Sequence, residues 1–431
     1  MANDVTETTE HLDTEEQREF RLRARAYLAE HLPPRLPDEP ILDWDDTELA
    51  AKDRRIQRAL WDGGFAGITV PVEYGGQGLG ARFEEIFLEE AQPYRLPWAF
   101  GNSYNIVIPV LLECGSDYLK RRFIPKILDG DEMWCQLLSE PSGGSDLAGL
   151  LTRAVRDGDS WILNGSKVWT TGGNACDYGI CLARTDPDVP KHAGLTMFAV
   201  DMHQPGITIV PLKLVDGGGD FCQEYLDDVV VPAENVIGEV NDGWRVTTIH
   251  LMHERAGVAR GWHYGVGRSA AAQHVELSQD VVELLRESGR ADDPHARQLA
   301  AEVWVLDALM SLTSQRIGAR IGSGQVPGYA AALPKLMTGK IGERRTALLS
   351  ELAGPAGVAA GGDGVSALPG VRRAGITRVT SHNIGGGTGE MQANAVAERM
   401  LGLPREPSVD RELPFSQLLH NTVPGGPRSQ A

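Results

Sequence analysis

The sequence has 431 residues, 42% hydrophobic and 23% charged, with 41 Lys and Arg against 59 Asp and Glu, which gives a net charge of −18. This length allows two or three packed domains, and the composition is ordinary for a soluble globular protein. So acidic a chain argues against non-specific nucleic-acid binding, which needs basic patches. No apolar run approaches the ~18 residues of a membrane span. The acidic segment Met1–Glu16 lacks the features of a secretory signal.

The cysteines and histidines form no recognisable metal site. None of the five cysteines has a metal-ligand or C-x-x-C spacing, which predicts free, buried thiols and fits a reducing cytoplasm. The eleven histidines show no ligand-like cluster, so His250 and His253 are interpreted as polar helix residues. We therefore predict no metal site and a cytoplasmic location. The cysteines are Cys114, Cys135, Cys176, Cys181 and Cys222.

The first part of the chain is predicted to be an N-terminal helical domain over residues 12–131. Helix-length amphipathic runs occur at Glu15–Leu32, Thr47–Gly63 and Arg82–Gln92. A loop rich in Gly and Pro, Pro71–Gly78, separates the second run from the third and predicts a break between two helices.

The middle of the chain, residues 132–241, has short β-type runs separated by turn signals. This pattern predicts a small antiparallel β domain, a barrel or a sandwich. Asn164-Gly165 lies between two apolar runs, and Asn-Gly is the strongest short signal for a hairpin. The runs are Thr152–Val155, Trp161–Leu163, Lys167–Trp169, Ile180–Ala183, Leu195–Val200, Ile207–Leu214 and Val229–Val231.

Residues 242–405 are predicted to form a C-terminal helix bundle, followed by a loose tail over 406–431. Long alanine-rich helical patterns suggest four helices, and the last one stops at a Gly-Leu-Pro sequence. The predicted helices cover residues 244–288, 295–321, 334–353 and 390–401.

Two polar, glycine-containing loops are candidates for ligand binding, Ser139–Asp146 and Gly385–Glu390. Glycine permits close approach of the backbone to a ligand, and a loop ahead of a helix offers unpaired N–H groups to an anion. Taken alone, the first loop is better explained as a capped turn of the β domain, and the second is equally consistent with a helix-entry loop. Neither is a P-loop, and no Rossmann fingerprint follows a strand.

A stripe of glycines in the first C-terminal helix singles out one carboxylate. Gly257, Gly261 and Gly265 lie on the same helical face as Glu254. Glycine costs about 1 kcal/mol against alanine in a helix, so something must approach that face closely. Helix–helix packing explains the stripe about as well as a carboxylate facing a flat ligand. In the second case desolvation would raise the pKa of Glu254 and make it a base.

Five segments, in this order, resemble the acyl-CoA dehydrogenase family of flavoproteins, and the resemblance extends over residues 15–405. The segments are E-Y-G-G-Q-G at Glu73–Gly78, S-E-P-S-G-G-S-D at Ser139–Asp146, N-G-S-K-V-W-T-T at Asn164–Thr171, H-E-R at His253–Arg255, and G-T-G-E-M-Q at Gly387–Gln392.

The resemblance implies an N-terminal helical domain, a middle antiparallel β-barrel domain and a C-terminal four-helix bundle, with FAD between the last two. It also implies which positions bind the cofactor and which face the substrate, and Ser145 belongs to both sets. The cofactor positions are Gln136, Leu138, Ser139, Gly144, Ser145, Trp169, Thr170, Thr171, Thr388 and Glu390, and the substrate positions are Ser145, Arg255, Gly386 and Gly387.

Two departures from the family pattern matter. Many members carry the catalytic base in the C-terminal loop, where this chain has Gly386, whereas isovaleryl-CoA-type members carry it on the first bundle helix, where this chain has Glu254. Glu254 is therefore the implied base. The Arg-x-x-Phe-Gly segment that contacts a neighbouring subunit's FAD is not recognisable at Arg286–Pro294. Mixed oligomers occur in the family, so a homo-oligomer, dimer or tetramer, and a mixed assembly both stay open.

The implied reaction is the α,β-dehydrogenation of an acyl-CoA, or of a carrier-bound acyl group, to the trans-2-enoyl thioester. The resemblance implies that Glu254 removes the α-proton, that FAD takes the β-hydrogen, and that an electron-transfer flavoprotein accepts the electrons. Two alternatives stay open, a flavin oxidase or monooxygenase on the same scaffold, and a non-catalytic partner subunit of a mixed oligomer.

Overall fold

The computed structural model describes residues 13–35, 47–214, 219–260, 279–357, 383–408 and 410–418. Helices dominate both ends of the described chain and strands its middle, as predicted. The α-helices are α1 (Glu15–His31), α2 (Thr47–Asp62), α3 (Ala81–Ala91), α4 (Ile108–Cys114), α5 (Asp117–Leu128), α6 (Gly243–Arg260), α7 (Gln279–Glu287), α8 (Pro294–Gly322), α9 (Ala332–Ala353) and α10 (Gly389–Ala395).

The three predicted N-terminal helices correspond to α1, α2 and α3 with ends that differ by a residue or two. Thr14 begins α1 with a capping box, in which its side chain accepts from the N–H of Gln17 and the Gln17 side chain accepts from the N–H of Thr14. Phe20, Ala24 and Leu28 repeat at helical spacing and are buried. These helices share one hydrophobic core with the sheet that follows.

One eight-stranded sheet forms the middle domain, and the expectation of an antiparallel barrel is wrong. The order is β6-β7-β3-β2-β4-β5-β8, with β1 paired to β4, and the described end strands β6 and β8 do not meet, so the sheet is open. The β1–β4 pair is parallel. The strands are β1 (Trp134–Leu137), β2 (Arg153–Asp157), β3 (Ser160–Thr171), β4 (Tyr178–Arg184), β5 (Leu195–Asp201), β6 (Ile207–Leu212), β7 (Phe221–Pro232) and β8 (Val236–Ile237).

The hairpin predicted at Asn164-Gly165 is also wrong, because these residues lie inside β3. The turn lies one segment earlier, between β2 and β3, where Gly158 has φ 56°. The long strand β7 pairs with both halves of β3, and the ladder shifts register at Asn164. There the Asn164 amide exchanges two 3.0 Å hydrogen bonds with Asp228, so Asn-Gly serves a β-bulge instead of a turn.

The C-terminal helices α7, α8 and α9 form a second, smaller core of Val, Leu and Ala side chains. The predicted helix 244–288 is described as α6 and α7, and residues 261–278 between them, with Gly261 and Gly265, lie outside the described residues. The helix predicted at 390–401 is α10 followed by a π-helical turn at Val396–Met400.

The unusual Arg286–Pro294 segment is folded back onto its own bundle. Arg290 donates to the carbonyls of Glu351 and Leu352, at 3.0 and 3.2 Å, and so caps the C-terminal end of α9. Asp293 caps the start of α8 by accepting from the His295 N–H at 2.9 Å. In this chain the segment therefore stabilises the helix ends of its own subunit.

The prediction of a loose tail is wrong for residues 410–418, which pack against the β domain. The Phe415 N–H donates to the Val189 carbonyl at 2.9 Å. The Arg184 guanidinium lies 3.4 Å from the centroid of the buried Phe415 ring. One buried aromatic ring against a cation gives this polar segment an anchor that composition alone did not indicate.

Candidate functional site

A buried ion pair fixes the Ser139–Asp146 loop to strand β3. Lys167 Nζ lies 2.9 Å from Glu140 Oε1, and both side chains are buried. Glu140 also accepts from the N–H groups of Leu151 and Thr152 at 2.6 and 2.9 Å. Burial raises the pKa of the Glu140 carboxyl, but the charge of Lys167 and these donors outweigh burial, so its pKa lies below the ordinary value.

The same contact brings together the two segments that the sequence analysis assigned to the cofactor. The Ser139 carbonyl accepts from the Val168 N–H at 2.9 Å, which places the loop beside Trp169. Along the loop, Gly144 and Ser145 are exposed. A Cβ on Gly143 would meet no atom within 4 Å. The loop thus has an open polar face backed by a rigid strand.

Trp169 occupies a second β-bulge of β3, with φ 66° and 57% of its surface exposed. Its neighbours differ, because Thr170 is buried and Thr171 is only partly buried. The Thr170 hydroxyl donates to Glu224 Oε2 at 2.6 Å. Burial raises the pKa of Glu224 to about 7. The bulge therefore separates an exposed indole from a buried threonine in the same short segment.

Strand β1 is connected to helix α6 through Gln136 and His250. Gln136 Oε1 lies 2.5 Å from His250 Nε2, and Gln136 Nε2 donates to Asn102 at 3.4 Å. Burial lowers the pKa of His250 to about 3, so the imidazole is neutral and donates to Gln136. His250 lies one helical turn before Glu254, so this contact sets the distance between the cofactor segment and the candidate base.

Glu254 meets the C-terminal loop at Gly386, the residue that replaces the alternative base. A Cβ on Gly386 would lie 3.7 Å from Glu254 Oε1 and 3.1 Å from Lys335 Cε. Burial raises the pKa of Glu254, while the charges of Arg255 and Lys335 lower it, and the net change is upward. The two positions at which the family carries its base are therefore neighbours in space.

The C-terminal loop is held by its own helix. Gly386 and Gly387 have φ 69° and 90°. The side chain of Gln392 donates to both of their carbonyls, at 3.1 and 3.4 Å. Thr388 is the N-cap of α10 and accepts from the Met391 N–H at 3.2 Å, whereas Glu390 in the first turn is exposed. The roles of Thr388 and Glu390 at the cofactor stay predictions.

Sequence reasoning missed three buried residues of this site, Glu224, His250 and Lys335. A polar residue at a buried helical or strand position is the signal that could have found them, since such groups are seldom buried without a partner. The alternation along β7, with Cys222, Glu224 and Leu226 all buried, marks Glu224 as inward-facing. The positions of His250 and Lys335 required the tertiary structure.

Three further observations concern the cysteines, possible metal ligands and helix length. The five cysteines are free, four of them buried and Cys114 partly buried, as predicted. Within the described ranges, no group of three His, Cys, Asp or Glu side chains is placed to hold a metal ion. None of the described helices combines the length and apolar character needed to cross a membrane.

Family models match most of the chain in the order that the fold shows. They are the acyl-CoA dehydrogenase N-terminal domain over residues 14–131, the middle domain over 135–229 and the C-terminal domain over 241–401. The chain therefore belongs to the acyl-CoA dehydrogenase family, and it is an FAD-dependent oxidoreductase of that family.

Relatives and solved structures agree with this assignment. The chain is 35% identical over 365 residues to acyl-CoA dehydrogenase FadE34 of Mycobacterium tuberculosis, covering 83% of this chain and 47% of FadE34, so it spans about half the length of that relative. It is 32% identical to acyl-CoA dehydrogenase IpdE1 of the same organism, over 90% and 98% of the two chains. A structure named Tcur3481-Tcur3483 steroid ACAD superposes with a TM-score of 0.73 at 29% identity, covering 91% of this chain and 99% of that one.

The exposed residues of the two segments suit FAD, which would contact the Ser139–Asp146 loop and Trp169, whereas Thr170 is buried and its hydroxyl donates to Glu224. The open backbone at Gly143 offers the close approach that the pyrophosphate of FAD needs, and the exposed indole of Trp169 offers a flat surface to its isoalloxazine ring. Three buried polar atoms of α6 and α10 have no hydrogen-bond partner among the described residues, which suits a polar ligand. They are His250 Nδ1, Arg255 Nε and Gln392 Oε1.

Proposed function

We propose that this protein oxidises the Cα–Cβ bond of an acyl-CoA thioester to the trans-2-enoyl thioester, with Glu254 as the catalytic base. The observation that carries the proposal is the placement of the Glu254 carboxylate beside Gly386. The base comes from helix α6, and the loop position that holds it in other members has no side chain here. Desolvation brings the pKa of Glu254 upward, towards that of a base useful near neutral pH.

The protein's own groups divide the work. Glu254 takes the α-proton of the substrate onto a carboxylate oxygen. The electron pair left behind delocalises into the thioester carbonyl, whose oxygen needs a hydrogen-bond donor. The backbone N–H of Gly386 corresponds by position to the donor that the family uses, and we assign it that role. The chemistry that bound FAD would supply is acceptance of the β-hydrogen together with two electrons, as a hydride.

The remaining site residues orient these groups. The Glu140–Lys167 pair holds the Ser139–Asp146 loop, with Ser139, Gly144 and Ser145, against β3. Gln136 and His250 set the distance between that loop's strand and Glu254. Arg255 adjoins the base on the substrate side. These assignments, with those of Leu138, Trp169, Thr170, Thr171, Gly387, Thr388 and Glu390, rest on the family pattern and on the placements described above.

We assign a bulky acyl group, of the steroid type, as the substrate class to test first. The support is the 29% identical steroid ACAD, together with the three consecutive glycines, Gly385 to Gly387, on the loop that meets Glu254. An electron-transfer flavoprotein is the proposed acceptor and the cytoplasm the proposed location. A CoA thioester and a carrier-protein thioester differ in the group that carries the acyl chain. The two carriers are therefore compared with the same acyl chain attached to each.

The deciding experiment is an anaerobic titration of the FAD-loaded protein with a panel of straight-chain, branched, aromatic and steroid-type acyl-CoAs. Flavin bleaching by one class, with formation of the enoyl product, is the expected result. If no acyl-CoA bleaches the flavin while dithionite does, the dehydrogenase assignment fails. Rapid reoxidation of the reduced flavin by O₂ would favour an oxidase or monooxygenase instead, against which the presence of Glu254 already speaks.

A mixed oligomer is the second candidate assembly, and one observation favours it. In the family the segment corresponding to Arg286–Pro294 reaches a neighbour's FAD. Here Arg290 of this segment caps helix α9 of the same subunit. Residues of α8 also present an exposed apolar row, Val305, Leu309 and Leu312, suited to a subunit contact. Light scattering of the purified chain should show a dimer or tetramer. A flavin-poor chain rescued by co-expression of a paralogue would select the mixed assembly.

A further inference from the structure

Helix α9 places a buried lysine beside the proposed base. Lys335 is 7% exposed. Its Cε and the Oε1 of Glu254 approach the same point, because a Cβ on Gly386 would lie 3.1 Å from the first and 3.7 Å from the second. Three elements far apart in sequence, α6, α9 and the loop before α10, therefore meet at one contact.

Among the described residues, two charged groups act on Glu254, and Lys335 is the one that comes from another element. Burial raises the pKa of Glu254 and lowers the pKa of Lys335, and in each case the charge of the other group opposes the shift. Arg255 also acts on Glu254, but from the same helix. His253 contacts Glu113 of α4 at 2.6 Å. His250 is neutral because burial lowers its pKa to about 3.

Burying a lysine is costly unless a compensating charge or ligand is near. Alanine and leucine side chains of α9 are buried in the bundle together with Lys335. A cation at this location has a direct effect on the proposed base. It favours the anionic form of the nearby carboxylate, which is the form that accepts the α-proton.

We propose that Lys335 is a positioning residue of the reaction site, whose ammonium group keeps the Glu254 carboxylate anionic and whose alkyl chain supports the loop at Gly386. This inference rests on the proposed function of Glu254. Lys335 makes two separable contributions, one through its charge and one through its alkyl chain. A separate substitution tests each contribution.

Lys335→Met retains the alkyl chain and removes the charge. An opposite charge within ~4–6 Å shifts a carboxyl pKa by about one unit or more. We expect the acid limb of the kcat/KM profile to move to higher pH by about one unit. At pH values on the acid limb kcat/KM should therefore fall about tenfold, and at higher pH it should return to the wild-type value. FAD content should be unchanged. Lys340→Met, on the same helix and exposed, is the matched control and should leave the profile in place.

A second readout does not depend on turnover. Infrared difference spectra against Glu254→Gln report the protonated carboxyl of Glu254 directly, as a function of pH. In Lys335→Met this signal should appear at higher pH than in the wild type. Lys335→Ala removes the alkyl chain as well and should add a loss of kcat that raising the pH does not restore.

The outcomes separate this inference from the proposed function. If Lys335→Met lowers activity equally at all pH values and leaves the infrared titration of Glu254 unmoved, Lys335 is only structural and the inference is overturned. If Glu254→Gln remains active, the base assignment fails. The infrared titration in the Lys335 variants would in that case still decide whether Lys335 governs the ionisation of Glu254.

Discussion

The amide oxygen of Gln136 and the Nε2 of His250 lie 2.5 Å apart and join strand β1 to helix α6. The first residue belongs to the proposed cofactor segment, and the second lies one turn from the proposed base. A hydride and a proton leave adjacent carbons of the substrate. The hydride acceptor and the base must therefore be held at a fixed distance from each other. The Gln136–His250 contact joins the middle domain to the C-terminal domain, and so helps to fix the distance between the cofactor segment and the proposed base.

Replacing Glu254 by Gln tests the base. The amide retains shape and hydrogen bonding but cannot accept the α-proton, and loss of a general base costs on the order of 10²–10⁴-fold. We expect the variant to retain FAD and bind acyl-CoA while failing to bleach the flavin in anaerobic stopped-flow measurements. Glu390→Gln, at a proposed cofactor position of α10, is the comparison variant and should mainly perturb FAD binding instead of proton abstraction. Near wild-type bleaching by Glu254→Gln would show that the base lies elsewhere.

Breaking the Glu140–Lys167 pair should loosen the cofactor loop. Removing one partner of a buried pair leaves an uncompensated charge and costs about 3–5 kcal/mol. Lys167→Met should therefore lower the free energy of unfolding by this amount in urea titrations and weaken FAD binding. Arg18→Ala, which removes an exposed pair with Glu15, should change neither measurably. An unchanged FAD affinity in Lys167→Met would separate the loop from the cofactor.

The same pair has a defined pH dependence. The folded-state pKa of Glu140 lies below its ordinary value of 4.5, so its contribution to stability is complete above that pH and is lost as pH falls through the folded pKa. Unfolding measurements of wild type and Glu140→Gln should therefore converge in acid. Divergence on acidification would contradict the direction assigned to this carboxyl.

His250 adds a second acid sensitivity that begins at higher pH. Its pKa falls from an ordinary value of 6.5 to about 3 in the folded protein, so the unfolded chain binds the proton more readily between these values. Stability is complete above pH 6.5 and falls by about 1.4 kcal/mol per unit below it. In His250→Gln this slope should diminish. The exposed His203→Gln should leave it as it is, and an unaltered slope in His250→Gln would mean that His250 is already protonated.

Gly386→Ala should lower activity as well as stability. Gly386 has φ 69°, which costs an L-residue roughly 1–2 kcal/mol, and the new Cβ would press on Lys335 Cε at 3.1 Å. Gly324→Ala is a matched control, with φ 71° and no atom within 4 Å of its Cβ. Both variants should lose stability by thermal unfolding because of their positive φ, and only Gly386→Ala should lose kcat/KM. Equal activity in the two would separate the loop from the site.

The sequence alone determined the order of the domains, most helix positions, the family and the candidate base. Amphipathic spacing and capping residues are local, so α1, α2 and α3 could be placed within a residue or two. The family motifs are contiguous segments, and Glu254 could be chosen because Gly386 occupies the alternative position.

Only the tertiary structure decided how the strands pair and which distant residues meet. Asn164-Gly165 is a short, local turn signal, but β7 pairs along the whole of β3 and outweighs it. Whether a sheet closes depends on its end strands, which no local pattern specifies. Lys335 Cε and Glu254 Oε1 both lie close to Gly386, which brings three elements together through packing, and single-element periodicity carries no information on which faces meet.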